Sequence, residues 1–382
     1  MRILPIASGK GGVGKSLVAA NLSLALAQAG KQVIVVDLDL GGSNIHQILG
    51  QSGIKKGIGV FLSSQKTSFE DIIIDTEYKN LRFIPGDAEI PGTANVKSTQ
   101  KRMLLSRLRK LEADYCIIDL GAGTNFNILD FFLISGTGII VTSPTPTANL
   151  NAYLFLKNLI FRVLHSSIDK KSKAFQILEK LNETAATYQG IYVPRLLEEI
   201  KNQDPESFAK FEERLRGFHP KLILNLLEDP KDGNKAAKLR RSCKEYLNVD
   251  MEHLGIIYRD DLQDVALQSK IPILIYKPNS VLSQAIYRIA DKLLQEPKEE
   301  EYQVDFSTIQ ESFQTAEMEA EVDFDMKMRY MEDLLHCGAL TQGDLIETIK
   351  NQQLEISRLK KENNVIKSKL AKAMRTGFLN NE

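Results

Sequence analysis

A doubly wound, mostly parallel α/β sheet of the Rossmann-like three-layer kind is predicted for this 382-residue chain by three features. Short runs of branched aliphatics alternate with longer helical stretches from the N-terminus to about residue 294. Several runs, such as Val33-Ile34-Val35-Val36 and Cys116-Ile117-Ile118, are apolar without alternation, as strands covered by helices on both faces must be. A glycine-rich loop joins the first run to the first helix. The balance of the chain agrees: 43% of residues are hydrophobic, enough for a real core, so wholesale disorder is excluded. Lys plus Arg and Asp plus Glu number 49 each, which argues against a general polyanion binder. No apolar run reaches the length of a bilayer span. The first five residues lead straight into a strand rather than forming a cleaved leader. Cys116, Cys243 and Cys337 lie far apart with no CxxC pair. That excludes a disulfide framework and short-spaced zinc or iron–sulfur motifs, and it suits the reducing cytoplasm.

Taken in order, strands are expected over residues 2–7, 32–39, 81–85, 115–120, 138–143, 221–227, 252–257 and 273–276. Between 165 and 220 the strand rhythm stops, and three charged helical segments (174–181, 193–202, 206–217) read as an insertion between two strands, a lid or a partner surface. The expected domain spans 1–294. Residues 295–326 follow as an acidic segment in which Lys298 is the single base, the mark of a solvated linker or exposed helix. Residues 327–382 form a helical tail. Within it Ile349, Ile356, Asn363 and Leu370 occupy one heptad position, and Leu345, Gln352, Leu359, Ile366 and Ala373 another. Four heptads with one Asn at a core position fit a parallel two-stranded coiled coil; a single amphipathic helix docked on the domain is the plainer reading.

The loop Gly9-Lys10-Gly11-Gly12-Val13-Gly14-Lys15-Ser16 fits G-x-x-x-x-G-K-[ST] between strand and helix, the context that motif requires. Its glycines let backbone N–H groups converge on a phosphate, to which the helix N-terminus adds its dipole. Lys15 would neutralise the β- and γ-phosphates, and the Ser16 hydroxyl would ligate Mg²⁺. Asp119 ends an apolar strand before Gly121-Ala122-Gly123, as a carboxylate acting on the metal shell does, with Gly121 open to close approach by a phosphate. Asp37 and Asp39 end another strand ahead of Gly42-Ser43-Asn44. Ligands of open α/β sheets bind at the carboxyl ends of strands, so the three loops share one crevice. One of the two aspartates reads as a structural cap; Asp39, with small neighbours that leave space for water and phosphate, is favoured for chemistry.

The second lysine of the loop, Lys10, is the deviant Walker A signature, and with it the chain resembles the MinD, FlhG and ParA group of P-loop ATPases. The resemblance extends through Val36-Asp37-Leu38-Asp39, Ile117-Ile118-Asp119-Leu120-Gly121 and Thr142-Ser143-Pro144-Thr145-Pro146-Thr147, and covers most of 1–294. It implies that ATP and Mg²⁺ are bound, that Lys10 reaches the phosphates of the partner in a nucleotide-sandwich homodimer, and that Asp39 positions the attacking water. It further implies that Asn225 reads the adenine edge and that the loop through Tyr258 to Asp260 closes over the base. Three departures stand out: Tyr258 where the family usually has proline, the insertion, and the long C-terminal extension.

The resemblance implies a slow, partner-stimulated ATP hydrolase that positions or partitions a cellular structure (division site, flagellum or chromosome) through an activating protein. Alternatives are a metabolic or metal-carrier ATPase of the same fold, which in the carrier case needs a cysteine pair this chain lacks, and a nucleotide-stabilised coiled-coil scaffold. The surface on which the dimer sits is open. The basic run from Lys231 to Lys244 suits nonspecific DNA contact or a solvated helix face. Ile366, Leu370, Met374 and Phe378, flanked by Lys and Arg, suit an anionic membrane. The expected location is therefore the cytoplasm, at the inner membrane face or the nucleoid.

Overall fold

The computed structural model describes residues 1–39, 42–54, 56–64, 66–86, 96–184, 191–296 and 306–336, together with positions 343, 346, 350 and 353. Two compact units divide it, Met1–Phe324 and Asp325–Glu382. Nearly all described structure belongs to the first. The heptad positions from Leu345 to Ala373 lie outside the described residues.

The first unit is an eight-stranded sheet of β1 (Arg2–Ser8), β2 (Val33–Leu38), β3 (Ile74–Asp75), β4 (Leu81–Ile84), β5 (Tyr115–Ala122), β6 (Ile139–Thr142), β7 (Lys221–Leu227) and β8 (Glu252–Tyr258), in the order β3-β4-β2-β5-β1-β6-β7-β8. Every pairing is parallel except β3 with β4. Helices cover it on both sides: α1 (Lys15–Gln28), α2 (Ile45–Ile48), α3 (Ile58–Ser63), α4 (Ser98–Leu108), α5 (Phe126–Phe132), α6 (Pro146–Ser167), α7 (Lys173–Thr184), α8 (Val193–Gln203), α9 (Pro205–Arg216), α10 (Asn234–Leu247), α11 (Leu262–Gln268), α12 (Ile273–Tyr276) and α13 (Val281–Gln295). α14 (Phe306–His336) follows.

The apolar runs divide between two cores with the two-residue period of a pleated strand. Ile34, Val36, Cys116 and Ile118 face one cluster; Val33, Val35, Tyr115 and Ile117 face the other. That is why these strands read as continuous hydrophobic stretches. α1 is buried over most of its length, and two of its interior polar groups turn back onto the helix: Asn21 Nδ2 donates to the Leu17 carbonyl at 2.9 Å and Ser23 Oγ to that of Ala19 at 2.7 Å.

α7, α8 and α9 stand between β6 and β7 as an insertion, with Val193, Leu196, Ile200 and Phe211 buried in the core that α6 also lines. Asp204 ties the insertion together, capping α9 at the Ser207 N–H (3.2 Å) and accepting the Ala174 N–H of α7 (3.2 Å). These helices enlarge the core on the α6 side.

Three details differ from the sequence reading. Residues 273–276 form a single helical turn, not a strand: Ile275 and Tyr276 N–H both donate to the Pro272 carbonyl at 2.9 Å, and Pro272 supplies the start. Periodicity cannot separate so short an apolar run from a buried turn. β3, two residues long, carried no sequence signal. The acidic segment is not a solvated linker from Phe306 onward. It is helical, and Phe313, Ala316 and Ala320 are buried in the main core. An apolar side chain every three or four residues gives this acid-rich helix one dry face.

Among the described residues no helix is long and apolar enough to cross a membrane. The basic run that begins just before α10 and continues along it is engaged within the fold at three of its six basic residues. Lys235 pairs with Asp232 at 2.7 Å, while Arg240 and Lys244 pair with Asp250 at 2.6 and 3.1 Å. The Arg240 guanidinium also lies 5.0 Å from the centre of the Phe313 ring. Lys231, ahead of the helix, and Lys238 and Arg241 on it stay exposed.

Candidate nucleotide site

The glycine-rich loop leaves β1 and turns into α1 at the carboxyl ends of the central strands. Gly14 caps α1 at φ 83°, a left-handed conformation that glycine adopts without strain. A Cβ on Gly14 would fall 2.2 Å from Asn225 Nδ2, and one on Gly9 would fall 2.1 Å from the Asn151 carbonyl oxygen of α6. Both glycines are therefore fixed by close approach. The loop is clasped from β7, where buried Asn225 donates from Nδ2 to the Val13 carbonyl at 2.8 Å.

Lys15 is buried and its ammonium reaches inward. It lies 2.5 Å from Asp119 Oδ1, 3.4 Å from Ser16 Oγ and 3.8 Å from Asp39 Oδ2. The β2–β5 register sets Asp37 directly beside Asp119. Burial pushes the Asp119 carboxyl up to about 6, against the pull of Lys15, and the Asp37 charge adds to the rise. Asp119 Oδ2 is buried and has no hydrogen-bond partner among the described residues.

The two aspartates at the end of β2 differ in their surroundings. Asp37 is fully buried and organises the following loop, accepting from Ser43 Oγ (2.6 Å) and from the N–H groups of Asn44 (3.1 Å), Ile45 (3.3 Å) and Asp39 (3.1 Å). Burial raises its pKa although these bonds oppose the shift. Asp39 keeps a side chain 27% exposed, turned to the site beside Lys15. Its neighbours are small: a Cβ on Gly121 would stand 3.3 Å from Asp39 Oδ1, and one on Gly42 3.6 Å.

Lys10 does not join this cluster. It is exposed, and its ammonium donates to Thr147 Oγ1 at 3.0 Å in the first turn of α6. Gly12 stands at φ 78°, and Gly11 leaves the loop surface open. Asp260, past the end of β8, accepts the Leu262 N–H at 3.1 Å and so starts α11. Tyr258 turns away from the crevice and into the core, donating its hydroxyl to the Ala320 carbonyl at 2.8 Å. The sequence reading missed Ser43, which holds Asp37, and Thr147, which holds Lys10. Both lie in motifs it quoted, but their partners are 6 and 137 residues away.

The donor set fits Mg²⁺ beside a phosphate. A serine hydroxyl, a lysine and one buried carboxylate with an unmatched oxygen leave most of the coordination to phosphate and water, as Mg²⁺ prefers. Among the described residues no group of three His, Cys, Asp or Glu could enclose a metal by itself. An iron cargo fits poorly: Cys116 and Cys243 are both buried, and burial pushes the Cys116 thiol up to about 12 and that of Cys243 upward as well.

Asp119 gives the site a pH signature. Its folded pKa is raised, so the folded state holds more protons than the unfolded chain between about 4 and about 6. Stability from this group is therefore present at low pH and is lost as pH rises through that window. Urea unfolding across it should show the loss, and Asp119→Asn should reduce the slope, leaving the part that Asp37, Glu296 and Asp323 contribute, whose carboxyls burial also raises. An Asp119→Asn profile with the wild-type slope would assign the dependence elsewhere.

Comparison with known proteins agrees with this fold. The ParA family model, described as NUBPL iron-transfer P-loop NTPase, matches residues 1–157. The septum site-determining protein MinD of Helicobacter pylori is 32% identical over 143 residues, 37% of this chain and 53% of that protein. The flagellum site-determining protein YlxH of the same organism is 30% identical over 196 residues, 50% of this chain and 63% of that one. This chain thus spans roughly half to two thirds of those curated relatives. The antiactivator FleN of Pseudomonas aeruginosa is 22% identical over 296 residues, 77% of this chain and 86% of FleN. Among solved structures, MinD of Pyrococcus horikoshii complexed with Mg-ADP shares the fold at a TM-score of 0.52 and 22% identity, covering 77% of this chain and 96% of that one. The cell division ATPase MinD of Pyrococcus furiosus does so at 0.53 and 20%, covering 77% and 98%.

Proposed function

Because this chain belongs to the ParA/MinD family of P-loop NTPases, we propose that it is an ATP-driven switch that dimerises on ATP, hydrolyses it slowly, and positions a cellular structure through a partner protein. One observation carries the reading. Ser16, Asp39 and Asp119 gather within 3.8 Å of the Lys15 ammonium, while Lys10 stands outside this cluster, exposed and held by Thr147. A lysine that does not serve its own site is placed to serve a second copy's.

In this account the loop N–H groups and Lys15 take the phosphates, Lys15 exchanging the Asp119 carboxylate for the more highly charged ligand. Ser16 and Asp119 hold Mg²⁺, which neutralises phosphate charge when bound. Asp39 orients the attacking water. Asn225 and Asp260 form the base side, with Asn225 also bracing the phosphate loop through Val13. Lys10 from the second copy completes the charge, so turnover waits for assembly. The names of MinD and YlxH favour septum or flagellum placement as the class of task. The buried cysteines weigh against the metal-carrier alternative, and the assembled catalytic set weighs against an inert scaffold. The proposed setting is the cytoplasm, on a membrane or nucleoid surface, with the heptad tail adding a parallel coil between copies.

Lys10→Ala tests it in the full chain. Stripping the chain back to residue 294 would expose the core face that α14 covers. Lys10 makes one exposed hydrogen bond, so the variant should keep its melting temperature and bind ATP within a few-fold of wild type. Turnover should fall by about 10³-fold, as when a charge supplied across an interface is removed. Undiminished hydrolysis would remove the lysine from the reaction.

A further inference from the structure

β8 is an edge strand of the sheet, with α14 laid over it. Exposed edges present unpaired backbone groups and are usually covered or blunted. Here the His253 N–H donates to Ser312 Oγ at 3.0 Å, and the Phe313 ring stacks on the His253 ring at 4.9 Å while Arg240 covers it. Further along, Lys292 of α13 pairs with Glu319 at 2.8 Å, and Arg288 pairs with buried Asp323. The last contact is Tyr258 to the Ala320 carbonyl, with the Phe324 ring 6.1 Å from the tyrosine ring.

Tyr258 is also the final residue of β8. The next residue, Arg259, donates its N–H to Leu227 of β7 at 2.9 Å, and Asp260 and Asp261 lead into α11. β8 lies three strands from β1 in the sheet order. At about 4.8 Å per strand that is roughly 14 Å from the strand that carries the phosphate loop, on the side where the proposed function places the base. The single tyrosine therefore joins a C-terminal helix to the base side of the crevice.

We propose that α14 is a strap that sets the base-side loop through Tyr258, a positioning residue, so that nucleotide affinity and α14 docking are coupled. This rests on the nucleotide reading above. The phosphate side is held by Lys15 and the loop N–H groups, and the Lys15 contacts, to Ser16, Asp39 and Asp119, do not involve α14. Coupling is reciprocal, so a base-bearing ligand also tightens α14.

The test uses the full chain and two ligands, Mg-ADP and Mg-tripolyphosphate, with calorimetry on wild type, Tyr258→Phe and Phe313→Ala. Tyr258→Phe removes one hydrogen bond and keeps the ring; Phe313→Ala loosens the strap far from the crevice. Both should weaken Mg-ADP about five- to tenfold, the worth of a neutral hydrogen bond, and leave tripolyphosphate within about twofold. Saturating Mg-ADP should slow amide exchange over 306–324 in the wild type, and tripolyphosphate should not. Unchanged ADP affinity in both variants, or equal weakening of both ligands, overturns the strap. A wild type that binds neither ligand overturns the nucleotide reading instead, and the two failures are distinct.

Discussion

Lys15→Ala is expected to abolish nucleotide binding while the fold survives. The ammonium is the one cation at the centre of the described site, 2.5 Å from Asp119 and 3.8 Å from Asp39. Hydrogen bonds to charged groups contribute about 1.5–3 kcal/mol each, so losing two to phosphate weakens Mg-ADP by about 10²- to 10⁴-fold. The same change leaves Asp119 and Asp37 buried without their counter-charge. Asp119, already pushed up to about 6, then rises further and takes up a proton in place of the ion pair. Melting near pH 5 should accordingly be little altered, with the deficit appearing toward pH 8. Calorimetry that finds Mg-ADP bound within threefold of wild type would contradict the assignment of Lys15 to the phosphates.

The second large effect separates two aspartates two residues apart. Asp39→Ala should bind ATP within a few-fold of wild type yet release phosphate about 10²- to 10³-fold more slowly, the range for loss of a group that positions or activates water. Its carboxylate anchors no backbone group among the described contacts, so stability should hold. Asp37→Ala should do the opposite. It strips acceptors from Ser43, Asn44, Ile45 and Asp39, and buried donors left unmatched cost about 1–3 kcal/mol each. Single-turnover phosphate release and urea unfolding on the pair decide the matter. Wild-type turnover in Asp39→Ala would transfer the chemistry elsewhere; an unstable Asp39→Ala would make it a structural residue.

How much of this was legible in the chain depends on the range of the interactions. The sheet was readable because its central strands are buried on both faces, so Val33 to Val36 and Cys116 to Ile118 carry the signal in consecutive residues. The phosphate loop was readable because Gly9 to Ser16 is contiguous. The choice of Asp39 over Asp37 followed from small neighbours nearby in sequence, Gly42 above all. Longer-range partners were invisible. The acids of α14 suggested solvent, whereas Asp323 and Glu319 meet Arg288 and Lys292 about 30 residues earlier. Tyr258 was visible as a departure from proline, but its reason is the Ala320 carbonyl 62 residues on. The turn at 273–276 failed for a local reason, since four apolar residues after a proline fit strand and helix equally well.

The central claim is that one copy's Lys10 completes the other copy's site, and mixing two inactive variants tests it most directly. Lys10→Ala lacks the lysine that it would donate, and Asp39→Ala lacks the group that positions water in its own site. In a mixed dimer the site of the Lys10→Ala copy keeps its own Asp39 and receives Lys10 from the other, so one of its two sites is whole. Random pairing of equal amounts through a two-fold interface makes half the dimers mixed, so phosphate release should recover to about a quarter of the wild-type rate, although each variant alone is nearly inactive. A mixture no more active than its separate components would mean that Lys10 acts within its own chain, and would contradict the dimerising switch.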